Sequence, residues 1–276
     1  MTSDREKIIF FGNGALAEYA LAVLSEHFEI VFHARTREDL EKARELRAEN
    51  PKIHGVLASF GVLIPGSVLE VFEPEGILNI HPSLLPEYRG ASPIESAILD
   101  GAVDFSVSVM KLVKAMDAGP IYYQATFSSA EIAEMSGSEL ISGLIPEKKA
   151  IYQVLAEAGA EWICDNLANL PEPVLQDDSR ATFCGKLDKS MGVLTPETDT
   201  AEQTLRKIVA YAGFPKPKRE FFGINCIIHG THLMEPGEVA VLELPCVDGK
   251  SLAIDFLQPE GRKVMDAKSF VNGYGK

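Results

Sequence analysis

The sequence predicts an α/β protein in which a mostly parallel sheet is followed by a small antiparallel β unit. Two observations carry this. First, "KIIFFGNGALAEYALAVLSEH" passes from an apolar run through Gly12-x-Gly14 into a stretch where Leu16, Tyr19, Ala20 and Leu24 recur at helical spacing. "EIVFHA" and "REDLEKARELRAEN" then repeat the strand-then-helix order. Second, beyond residue 200 the pattern changes to "REFFGINCIIHG" and "EVAVLELPCVDGKSLAIDFL", short apolar runs between glycines that suit a small antiparallel barrel or sheet.

Taken in order, the Gly12-x-Gly14 turn joins the first strand to its helix. A dinucleotide fingerprint would need a third glycine and an acidic residue ending the second strand, and "FHART" supplies none, so a nicotinamide cofactor is not expected. "IHGVLASFG" reads as the third strand and "PEGILNI" as the next. The stretch "NIHPSLLPEYRG" is broken by Pro82, Pro86 and Gly90 and reads as a loop at the strand end. "SPIESAILDG" is a helix ended by Gly101. "FSVSVMKLV" alternates as a strand, and "GPIYYQATF" is its partner after the turn "KAMDAG". In "IPEKKAIYQVLAEAGAEWICDNLANL" the residues Ile151, Leu155, Ala158, Trp162 and Ile163 form one helical stripe suited to core packing. "PEPVLQDDSRATFCGK", with two prolines and many polar residues, reads as an interdomain linker. The expected organisation is a catalytic domain over 1–170, a linker over 171–187 and a C-terminal β domain over 188–276, opened by the helix "TAEQTLRKIVAYAG".

Composition bounds the class. With 276 residues, 46% hydrophobic and 24% charged, the chain has the makeup of an ordinary globular protein. No apolar run reaches the roughly 20 residues of a membrane helix. "MTSDREKIIFFGNG" lacks a signal-peptide core, so a cytoplasmic protein without a membrane partner is expected. Cys164, Cys184, Cys226 and Cys246 form no C-x-x-C pair, which points to reduced thiols rather than a zinc site or a disulfide framework. Residues 1–179 hold 28 acidic against 13 basic residues, and residues 180–276 hold 12 against 13, so the excess acid lies in the first two-thirds. In the remainder, "FPKPKRE" clusters Lys216, Lys218 and Arg219 beside aromatic residues, a solvated loop or a small basic patch.

The candidate chemistry lies at strand ends. Ligands of open parallel sheets bind outside the carboxyl ends of the strands. Asn79 and His81 alternate at one such end, which points both side chains the same way, and Asp117 stands in a later loop where Gly119 lets the chain turn. An amide donor, an imidazole and a carboxylate in one cleft suit acyl transfer. Asn79 and His81 would hydrogen-bond the oxygen of a tetrahedral intermediate, while Asp117 orients the imidazole and helps move protons. An amine substrate would itself be the nucleophile. Each of the three residues also has an ordinary role in such loops as a turn former or a satisfied polar group.

"NIHPSLLPEYRGASPIESAILDG" followed by "VSVMKLVKAMDAGPI" resembles the signature of the folate-dependent formyltransferases, an N-x-H pair, an S-L-L-P-x-x-R-G loop and a later D-x-G. The resemblance implies a Rossmann-like sheet, 10-formyltetrahydrofolate as donor without a metal, and an acceptor amine. It implies Asn79, His81 and Asp117 as the catalytic set, and Ser83, Leu84, Leu85 and Pro86 at the border of the folate site. "ASFGVLIP" (58–65) resembles the segment lining the pterin pocket. "ATFCGKLDKSMGVLTP", "IVAYAGFPKPKREFFG" and "DFLQPEGRKVMDAKSFVNG" are similar to the C-terminal half of the members that formylate initiator methionyl-tRNA. That similarity implies an OB-like barrel, a tRNA partner and a role in translation initiation, and a monomer is expected. Sugar-amine N-formyltransferases share the donor and the triad, and a folate-binding protein without turnover would share the fold. Two departures from the tRNA-formylating pattern stand out. "FHARTREDLEKARELRAEN" lacks a long basic loop after the second strand, and the barrel is shorter by about one strand between "HLMEP" and "FLQP".

Overall fold

A computed structural model describes residues 5–275, which form two compact units. The first comprises the chain up to Ile94 together with Asp104–Gly137 and Lys149–Gly185. Its opening elements are β1 (Lys7–Gly12), α1 (Ala15–His27), β2 (Glu29–Ala34), α2 (Asp39–Glu49), β3 (His54–Ala58), the single turn α3 (Gly66–Leu69), β4 (Ile77–His81) and the two-residue β5 (Arg89–Gly90). After α4 (Pro93–Leu99) come β6 (Asp104–Lys111), β7 (Ile121–Ser128) and α5 (Ser129–Ser136). Six strands make one sheet in the order β2-β1-β3-β4-β6-β7. Pairing is parallel from β2 to β4, and β6 and β7 are added antiparallel, so the expected mostly parallel α/β sheet is present.

Burial follows the strand positions. β1 and β4 are central and covered on both faces, which suits their continuous apolar runs. Edge strand β7 is at most half-buried. β4 therefore carries two polar side chains, Asn79 and His81, in a strand buried at every position. The hairpin β8 (Leu140–Ile141) and β9 (Ile145–Pro146) precedes α6 (Lys148–Asn166). Ile151, Leu155 and Ile163 of the expected α6 stripe are buried, joined by Val154, Gly159 and Ala160. Trp162 instead stacks on Tyr123 at 5.4 Å between ring centroids.

Two features depart from the sequence reading. α5 was not expected, although Ser128 and Glu131 cap it reciprocally, with Ser128 N–H donating to the Glu131 carboxylate at 2.7 Å. The stretch expected as a linker is not free-standing. β10 (Phe183–Cys184) pairs in parallel with β5, and residues through Gly185 group with the first unit. Its irregular backbone and two prolines made a packed strap read as a connector.

The second unit comprises Glu95–Val103, Ser138–Lys148 and the chain from Lys186 onward. α7 (Ala201–Tyr211) starts on a Thr200–Gln203 capping box. It is followed by β11 (Lys218–Phe221), β12 (Ile224–Leu233), β13 (Glu243–Pro245), β14 (Ser251–Pro259), β15 (Met265–Asp266) and α8 (Ala267–Tyr274). The strands form an antiparallel sheet in the order β11-β12-β14-β13, with β15 also on β14. Leu205, Ile208, Phe221, Ile228, Leu252, Ile254 and Phe270 make its core, the small β domain that the glycine-punctuated runs predict. Of the three clustered basic residues, Arg219 is ion-paired with Glu197 and Lys216 is exposed.

Candidate active site

Alternation along β4 sends Asn79 and His81 to the same face, and each is only 5% exposed. The Nε2 of His81 lies 3.1 Å from the carbonyl oxygen of Tyr88. A carbonyl only accepts, so Nε2 carries the hydrogen, and the neutral ring presents its Nδ1 lone pair on the other side. That lone pair faces Oδ1 of Asp117 at 3.9 Å, beyond hydrogen-bond length. Burial holds the His81 pKa below the ordinary imidazole value, opposed by the Asp117 charge and by the Tyr88 carbonyl. The ring is therefore an unprotonated base near neutrality.

This geometry changes two expected details. Tyr88, rather than Asp117, makes the hydrogen bond that orients the imidazole, because Oδ2 of Asp117 accepts the Gly90 N–H at 2.8 Å. Neutral His81 also has no N–H free for a substrate oxygen until Nδ1 gains a proton. Asn79 differs from both. Among the described residues its carboxamide makes no hydrogen bond despite its burial. Its N–H donors are not sealed from solvent and stay available to an oxygen of a bound substrate.

The 83–86 loop is fixed from beneath by two residues that the sequence reading missed. The Ser108 hydroxyl on β6, fully buried, donates to the Ser83 carbonyl at 2.7 Å and accepts the Leu85 N–H at 3.1 Å. Gln124 on β7 donates to the Leu85 carbonyl at 2.9 Å and to Ser108 Oγ at 3.0 Å. The Ser83 hydroxyl donates to the Glu87 carbonyl at 2.6 Å, and the Pro86 carbonyl accepts the Thr182 N–H at 3.2 Å. Much of the loop's polar backbone is thus engaged within the protein. Leu84, 39% exposed, points outward while Leu85 is buried. In the 58–65 segment Phe60 and Ile64 are buried while Ser59, Gly61 and Leu63 are exposed.

The Asp117 loop is held equally firmly. Asp117 adopts the left-handed backbone region (φ 49°), uncommon outside glycine. Gly119, expected as a turn former, serves instead for close approach: a Cβ there would lie 1.8 Å from the Lys111 carbonyl oxygen. Gln176 donates to the carbonyls of Asp117 at 2.8 Å and Gly119 at 2.7 Å. Buried Arg89 donates to Gln176 Oε1 through Nε and Nη2, at 3.1 and 2.7 Å. Burial pushes the thiols of Cys164 and Cys226 up to about 11, so both are protonated near neutrality. Among the described residues, no three His, Cys, Asp or Glu side chains are grouped to hold a metal ion, and no helix is long and apolar enough to cross a membrane.

Residues 10–155 match the family described as formyl transferase. Methionyl-tRNA formyltransferase from Carboxydothermus hydrogenoformans is 31% identical over 90% of this chain and 79% of its own. HypX from Aquifex aeolicus, solved in complex with tetrahydrofolic acid, superimposes with a TM-score of 0.70 at 17% identity. That alignment covers 99% of this chain, which spans about half (48%) of HypX. Methionyl-tRNA formyltransferase from Clostridium thermocellum superimposes with a TM-score of 0.63 at 15% identity, over 95% of this chain and 99% of its own.

Proposed function

The chain belongs to the formyl transferase family, and we propose that it transfers the formyl group of 10-formyltetrahydrofolate to the amino group of initiator methionyl-tRNA. The observation that carries this acceptor is the extent of the similarity to methionyl-tRNA formyltransferase: it covers 90% of the chain and so runs well beyond the family's matched residues 10–155. In this reading Asn79, His81 and Asp117 are the catalytic residues. The neutral amine attacks the formyl carbon, forming the new C–N bond and placing negative charge on the formyl oxygen. Asn79 donates to that oxygen. The amine's proton passes to Nδ1 of His81, and the imidazolium is paired with the Asp117 carboxylate it faces. Collapse of the intermediate breaks the bond to the donor nitrogen, which takes a proton as tetrahydrofolate leaves. Ser83, Leu84, Leu85 and Pro86 border the donor, with Leu84 offering the apolar contact. The acidic first two-thirds of the chain leaves tRNA contact mainly to the near-neutral C-terminal part, and phosphate contacts make such binding salt-dependent.

The test is formylation of charged initiator methionyl-tRNA by the purified protein with 10-formyltetrahydrofolate, at low and moderate salt. Product that is lost in Asp117→Ala is the expected result. Formylation of a nucleotide-linked amino sugar with none of the tRNA would overturn the acceptor. Donor binding without turnover on either amine would overturn the reaction.

A further inference from the structure

The strap that ends in β10 contributes more than backbone pairing. Thr182 receives the Arg89 N–H on its carbonyl at 2.9 Å and the Tyr88 N–H on its hydroxyl at 2.8 Å. Gln176, earlier in the strap, is bonded at both ends of its carboxamide. Nε2 reaches two carbonyls of the Asp117 loop, and Oε1 takes two donors from Arg89, whose Nη2 also meets Asp178 at 2.6 Å. Arg89 immediately precedes Gly90, whose N–H holds Oδ2 of Asp117. One carboxamide therefore joins the loop that carries the carboxylate to the segment that grips it.

We propose that Gln176 is a positioning residue of the active site, fixing the Asp117 backbone so that one carboxylate oxygen is held by Gly90 and the other faces His81. The proposal rests on the role given to Asp117 above. A left-handed conformation in a non-glycine residue persists when its surroundings over-determine it, and the Gly90 N–H and the Gln176 amide supply that constraint from opposite ends of the residue.

Two substitutions separate positioning from mere support of the fold. Gln176→Glu keeps the volume and the acceptor for Arg89, but sets an acceptor against the two loop carbonyls. Gln176→Met keeps the length and loses all of the hydrogen bonds. In both, kcat for formyl transfer should fall about 10-fold or more, part of the roughly 10²–10⁴-fold that a general acid–base group contributes. The KM for the donor should stay within about twofold, as for an interaction that matters in the transition state. By NMR titration, the His81 ring should protonate at lower pH in Gln176→Met than in the wild type, because Asp117 no longer holds its pKa up. Wild-type kcat together with an unchanged His81 titration overturns the proposal, and so does a lowered melting temperature with both unchanged. If Gln176→Met does not fold, Gln176→Glu decides on the kcat and KM comparison. If the wild-type chain formylates no amine, the reaction assigned above fails, while the His81 titration still decides whether Gln176 sets the Asp117–His81 pair.

Discussion

Nδ1 of His81 faces Oδ1 of Asp117 at 3.9 Å, a carboxylate waiting beside a base that carries no proton on that side. The separation is too long for a hydrogen bond and short enough for strong pairing once the ring is charged. It follows that Asp117 matters most when His81 holds the amine's proton. Asp117→Asn and His81→Ala should each lower kcat by about 10²-fold or more, with the donor dissociation constant little changed. Steady-state kinetics with equilibrium donor binding check this, and near-wild-type turnover in both would remove the pair from the mechanism.

The buried imidazole should stay an available base well into mild acid. A proton acceptor must be neutral, and burial keeps His81 neutral below its ordinary value of 6.5. By NMR titration the His81 ring should therefore stay neutral as pH falls through 6.5 and gain its proton only below it, whereas turnover also needs a neutral acceptor amine, whose ordinary value of about 7.7–8.0 lies higher. The sign for stability is the same: the unfolded chain binds a proton near 6.5 that the folded chain refuses until lower pH, so stability falls with pH in that window. A His81 ring already half-protonated at pH 6.5 would contradict this environment.

Removing the Ser108 hydroxyl strips the support from the 83–86 loop. Ser108→Ala leaves the Leu85 N–H and the Ser83 carbonyl without their partner, at a cost of about 1–3 kcal/mol in stability. The KM for the donor should rise more than kcat falls, since the loop borders the donor in the proposed site. Denaturant unfolding and donor titration read the two effects separately.

A second histidine should behave oppositely. His232 lies between Glu238 at 2.8 Å and Asp255 at 2.9 Å, and their hydrogen bonds raise its pKa. Its contribution is fully present below 6.5 and is lost as pH rises through the raised folded value. The melting-temperature gap between wild type and His232→Gln should thus be wider at pH 6 than at pH 9. An equal gap at both would show that the imidazole's charge plays no part.

Asn79, His81 and Asp117 were legible in the sequence because strand alternation and loop position bear on where such side chains point. The residues that brace the 83–86 loop and the Asp117 loop were not. Ser108, Gln124 and Gln176 act by bonding main-chain groups far along the chain, and a carbonyl acceptor leaves no residue type in the sequence to mark the contact. Helix α5 carries its S-x-x-E cap directly after β7, but its 8 residues are too few for an apolar helical stripe to stand out. The pairing of β5 with β10 spans two residues each, too few for any periodicity to register. Gly119 was found in the right loop for the wrong reason, since the crowding carbonyl of Lys111 is visible only in three dimensions.

The β5–β10 pairing also bears on how this protein is born. Chains emerge from the ribosome N-terminus first, and folding proceeds as segments become available. When residue 170 has been added, Asn79, His81 and Asp117 all exist, yet the partners of Tyr88, Arg89 and the Asp117 loop have still to be synthesised. Only with Cys184 translated can the nascent unit close its last pairing. A polypeptide cut at the apparent end of the long helix α6 would contain Asn79, His81, Asp117 and the residues proposed to border the donor, and lack the piece that braces the segments around them.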